Sequence, residues 1–189
     1  MGFTRSELES FQDSTVPDLV GPGLKLLFVG INPGLWTAAT QTHFSHPGNR
    51  FYPALLLAGV IGQKIDRGTG MTDADRHHLL ERGVGITNVA HRATVKASEL
   101  SAIELRQGGE QLRRFVAQHR PAVVAMAGIT AYRTAFRQPK AVIGHQPEPF
   151  ERAALWVVPN PSGLNAHETI ETLAAAYREP ARAAGLMLD

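Results

Sequence analysis

The chain has 189 residues, enough for one domain and too few for two well-filled cores. Its 43% hydrophobic and 19% charged residues are those of a globular protein, and a formal charge of +2 neither demands nor forbids a polyanionic partner. There is no cysteine, which excludes disulfides, thiolate metal sites, cysteine nucleophiles and cysteine-held iron–sulfur clusters.

Residues 1–20 read as a polar lead-in with a short helix over Arg5 to Gln12 and no apolar segment of the signal-peptide kind. No stretch reaches the roughly 18 apolar residues of a membrane span, so a cytoplasmic protein without membrane contact is the expectation. "GPG" at 21–23 turns the chain into an apolar run, Lys25–Ile31, and similar runs recur at Val84–Val89, Pro121–Ala127 and Ala153–Val158. Each is too short for a helix core and reads as a strand, the longer ones covered on both faces. Helical patterns lie between them at Asn49–Ala58, Asp73–Arg82 and Ile129–Arg137. Ser101 and Glu104 have capping-box spacing ahead of a long amphipathic helix that stops before Pro121. Asn165 and Glu168 have the same spacing and predict a helix directly after "NPSGL", with Ile170, Leu173 and Tyr177 on its buried side. The stretch after Gly34 shows neither period. This alternation predicts a single α/β domain over 1–189, with three layers, α/β/α, around a central, mostly parallel β-sheet.

In such sheets ligands bind outside the carboxyl ends of the strands. Two loops stand there. In the first, Asn32-Pro33-Gly34 ends the first strand; proline fixes the backbone and glycine leaves room, so Asn32 is held at the rim. The second, "VVPNPSGLNAHET", repeats Asn-Pro with glycine close by and runs towards a helix.

Together, "GINPGLWTAATQTHFSHPGNRFY" and the distant "VVPNPSGL" resemble the mismatch-specific uracil-DNA glycosylases and the related thymine-DNA glycosylases. The likeness runs on through "GVGITNVAHRATVKASELS" and "VVAMAGITAYRTAF", roughly from Gly23 to Tyr177. It implies a parallel sheet between helices and an enzyme that turns uracil out of a G·U mismatch in double-stranded DNA and hydrolyses its glycosidic bond. Asn32 would be the catalytic residue, orienting water without deprotonating it, because an amide is no base near neutral pH. Ile31 and Gly34 would flank it in the substrate pocket, and Phe44 would stack on the extruded base. His46 and Asn49 belong to the same stretch, Asn49 also reading as the N-cap of the next helix and Arg50 as a surface or phosphate contact. Ser162, Gly163 and Leu164 would form the wedge that fills the vacated stack.

Two departures from that family concern the loops. Where relatives carry an arginine shortly after the leucine, this chain has Asn165-Ala166-His167, leaving Asn165 and His167 as candidate DNA contacts. The segment "TNVAHRATV" holds Asn88, His91, Arg92 and Thr94 but no carboxylate, with Ala93 where a functional side chain is conceivable. The eight histidines show no HExxH spacing, so no metal and no cofactor are expected, and nothing calls for more than a monomer. A protein of the same fold that binds lesions without cutting is the competing reading. A nucleotide-binding α/β protein is a weaker one, since GxxxxGK[ST] is absent.

Overall fold

Leu26, Leu27, Phe28 and Val29 are all buried to within 1% because successive side chains of a strand point to opposite faces and here both faces are covered. They form β1 (Leu26–Gly30), the second of five strands in a computed structural model that describes residues 2–188. With β2 (Val84–Asn88), β3 (Val123–Ala127), β4 (Gly144–His145) and β5 (Ala154–Val158), the order across the sheet is β2-β1-β3-β5-β4. All pairings are parallel except that of the short edge strand β4.

The two faces have separate cores. Leu26 and Phe28 pack beneath α3 (Phe51–Leu57), α4 (Asp73–Glu81) and α7 (Ile170–Ala183), among Phe51, Leu55, Leu79, Leu173 and Tyr177. Leu27 and Val29 face α5 (Ala102–His119) and α6 (Ile129–Ala135), among Leu112, Val116 and Tyr132. The predicted three-layer α/β/α arrangement is therefore the observed one. Ser101 caps α5 through Glu104 as its spacing required.

Three local expectations change. The aperiodic stretch after Gly34 contains a helix, α2 (Leu35–Thr40), whose Leu35, Thr37 and Ala38 are buried. The box predicted from Asn165 and Glu168 is not formed: Thr169 and Thr172 cap α7, so five residues of loop separate Leu164 from the helix. The lead-in holds α1 (Arg5–Glu9) and then a strap in which Leu19 pairs with Ile86 and Asp13 and Ser14 bond the backbone of Ala93. Val16 of that strap is buried against Leu35, Ala38 and Ala93, so the first twenty residues contribute to the domain.

Candidate active site

β1 has its sequence neighbour β2 on one side and β3 on the other, so the crevice at its carboxyl end is the switch point where such sheets place ligands. The chain leaves β1 as Ile31-Asn32-Pro33-Gly34 and is stitched to the segment after β2: Val89 and Ala90 donate to the carbonyls of Gly30 and Ile31, and Thr94 donates to that of Pro33. This pairing presents Asn32. Its Nδ2 donates to the Arg92 carbonyl at 3.0 Å and to Thr94 Oγ1 at 2.8 Å, with the Pro33 carbonyl at 3.1 Å. The single Thr94 hydroxyl proton goes to the Lys96 carbonyl, so Oγ1 must accept from the amide, and this fixes which end of Asn32 is nitrogen. The Asn32 Oδ1 has no bond among the described residues and is left as an acceptor.

Arg92 is itself braced by Glu104 at 2.6 Å and Asp13 at 2.9 Å. That contact and the Ser101 cap hold the Glu104 carboxyl at about 2. Ala93 offers no functional vacancy, being fully buried against the lead-in strap. Gly34 caps α2 with open space where a side chain would stand.

Phe44 adopts φ 55°, a left-handed conformation that costs a bulky residue about 1–3 kcal/mol. Stacking on Phe51 at 4.0 Å between centroids holds the ring there. Its edge lies over Gly30, where a Cβ would meet Phe44 at 3.2 Å and Asn88 Oδ1 at 2.4 Å. Ile31 points to the opposite face, towards Gly128 and an apolar hollow of about 410 Å³ lined by Leu100, Leu105 and Ala131. Any part Ile31 plays in the pocket belongs to its backbone.

Asn88, to which its sequence position assigns no task, ends β2 and is only 5% exposed. The neighbouring His43 explains its orientation. His43 Nε2 lies 2.9 Å from the Pro17 carbonyl and must carry the proton, so the neutral ring accepts at Nδ1 from Asn88 Nδ2 at 3.1 Å. The Asn88 Oδ1 is thereby turned to the Phe44 side. Burial pushes the His43 pKa down, opposed by the Pro17 bond and Asp18 and reinforced by His91 and Arg76. A histidine depressed below its ordinary value of about 6.5 contributes stability that is full above that value and lost as pH falls through its folded pKa. The expected result is a melting temperature that declines between pH 7 and pH 5, with a shallower slope in His43→Asn; parallel slopes would refute it.

The second loop is built differently from its sequence reading. Leu164 stands 91% exposed at its tip, while Ser162 and Asn165 are half-buried. Asn160 Oδ1 accepts from the Ser162 amide, and Asn165 Nδ2 returns a bond to the Asn160 carbonyl. His167 is exposed and its amide donates to Asn165 Oδ1. Gly163 passes so close to the 46–50 stretch that a Cβ would lie 2.6 Å from the Gly48 carbonyl. Asn49 Oδ1 accepts from the Phe51 amide, a capping contact although the helix is entered through Arg50. His46 rests edge-on against Trp36 and accepts the Gly48 amide at Nδ1. Arg50 departs most from expectation: its guanidinium turns inward and donates to the carbonyls of Ser162, Asn165 and Glu168. Among the described residues no three histidine or carboxylate side chains converge as a metal site would require.

A fixed amide acceptor two residues past Gly30, over which an aromatic ring lies, suits water attack on a bond to a flat, extruded group, the chemistry of a DNA glycosylase. Residues 17–181 match the family model of the uracil DNA glycosylase superfamily, and the chain belongs to that superfamily. Its fold is also similar to the NMR structure of a candidate uracil DNA glycosylase from Methanosarcina acetivorans. That match has 18% identity and a TM-score of 0.57, and covers 87% of this chain and 96% of the other.

Proposed function

We propose that the protein excises uracil from G·U mismatches in double-stranded DNA, as a member of the mismatch-specific branch, leaving an abasic site. The observation that carries this reading is the Asn32 amide, held by Arg92 and Thr94 with its oxygen free. That oxygen accepts a hydrogen bond from water and turns the water's lone pair towards the sugar C1′. The base leaves first with the electrons of the glycosidic bond, and the water, once bonded to C1′, gives up its proton to the departed uracil anion rather than to the amide. The target must leave the stack before its glycosidic bond is reachable. The free face of Phe44 receives it, a stacking contact of roughly 1–3 kcal/mol. Asn88 Oδ1 supplies an acceptor for the N3–H of uracil, an atom that in cytosine is itself an acceptor. Leu164, exposed at the loop tip, fills the gap and offsets part of an unstacking cost of a few kcal/mol.

The test is single-turnover incubation with duplexes carrying G·U, A·U, G·T or G·C and with single-stranded uracil, followed by alkaline cleavage. Uracil released from G·U in preference to A·U supports the proposal. Equal release from both removes the mismatch preference, and binding without cleavage supports the lesion-binding alternative.

A further inference from the structure

Arg50 lies in the stretch that carries Phe44 and His46, yet the carbonyls it binds are 112 to 118 residues further along, in the wedge loop. Its backbone amide also donates to the Pro161 carbonyl at 3.0 Å. Four hydrogen bonds therefore join one residue to positions 161, 162, 165 and 168, on both sides of Leu164. The contact to Asn165 measures 2.7 Å, and Arg50 Nε is buried without a hydrogen-bond partner among the described residues. Burial of a guanidinium is costly unless it is hydrogen-bonded, and here both terminal nitrogens donate to one loop. Beyond the close pass of Gly163 against Gly48, the loop has few other ties to the rest of the domain. Its remaining hydrogen bonds are local, reaching no further than Thr172 Oγ1, which donates to Glu168, and Leu164 touches solvent over nearly its whole surface.

We infer that Arg50 is a positioning residue that holds the 161–168 loop in its inserting shape, coupling the base-receiving stretch to the wedge. This rests on the function proposed above. A flexible loop pays its ordering cost when it enters DNA, and an ordered one has paid it on folding. The benefit is confined to duplex substrates, because a single strand has no stack to hold open. A phosphate contact would behave otherwise: its loss would weaken duplex and single strand alike and reduce the salt slope by about one.

The experiment compares wild type, Arg50→Gln and Arg50→Lys in three readouts: peptide-level hydrogen exchange, thermal melting, and single-turnover release of uracil from a G·U duplex and a single strand over a salt series. For Arg50→Gln, exchange should rise within 161–168 while β1 and β3 stay protected. The duplex-to-single-strand rate ratio should fall roughly tenfold, equivalent to about 1.4 kcal/mol, with the salt slope unchanged. Arg50→Lys, able to reach fewer carbonyls, should fall between, and it decides the matter if Arg50→Gln does not fold. Unchanged exchange in the loop, or equal losses on both substrates with a lower salt slope, overturns the inference. If wild type releases uracil from neither substrate, the proposed function fails while the exchange data still decide whether Arg50 holds the loop.

Discussion

Asn32→Ala is expected to slow single-turnover release of uracil from a G·U duplex by about 10²–10³-fold, the effect of removing one preorganised polar group from a catalytic centre. The reason lies in what surrounds the side chain. Both amide protons are committed to Arg92 and Thr94, so the oxygen is aimed before substrate arrives and needs no reorganisation at the moment of attack. Binding should be nearly unaffected, because the Phe44 platform and Leu164 are untouched by the change. The loss therefore belongs in the rate at saturating enzyme, with duplex affinity altered less than threefold or so. A variant that keeps the wild-type rate would remove Asn32 from the chemistry.

The parallel strands of this sheet were legible because burial leaves short apolar runs, and Leu26–Gly30 falls inside the predicted Lys25–Ile31; the edge strand β4, two residues long and not buried, leaves no such run and was not foreseen. The long helix was legible because Ser101 and Glu104 form the box that their spacing announces. Helix α2 was not, since six residues make fewer than two turns and show no period. Asn165 and Glu168 mislead for a physical reason: Asn165 is occupied with the Asn160 carbonyl and the His167 amide, so Thr169 takes the cap. Among site residues, the sequence marked Asn32 by its turn, but the partners that aim it lie 60 and 62 positions away. The inward turn of Arg50 is likewise a long-range contact. His43 carried one local clue, a titratable side chain beside the aromatic candidate, but its link to Asn88 spans 45 residues.

The pair Gly108-Gly109 stands in the middle of α5, where each glycine costs about 1 kcal/mol relative to alanine. The structure gives the reason. A Cβ on Gly108 would stand 2.0 Å from the Val89 carbonyl oxygen, whereas on Gly109 it would meet the Ala135 carbonyl and Phe136 at 3.1 Å. Val89 has little freedom to retreat, because its amide is bonded to Gly30 on β1. In Gly108→Ala the clash should therefore outweigh the gain in helix propensity. Overpacking of about 3 kcal/mol less roughly 1 kcal/mol of propensity leaves a net loss near 2 kcal/mol. For a domain of this size the melting temperature should drop by roughly 4–8 °C. Gly109→Ala, with milder contacts, should lose less. The effect should also reach the chemistry, since Val89 follows Asn88 directly and begins the segment whose Arg92 and Thr94 hold Asn32. Base release should then fall in Gly108→Ala well below the melting temperature, where the protein is still folded. A rise in melting temperature would mean that helix propensity decides at this position, and that α5 does not set the place of the segment holding the catalytic amide.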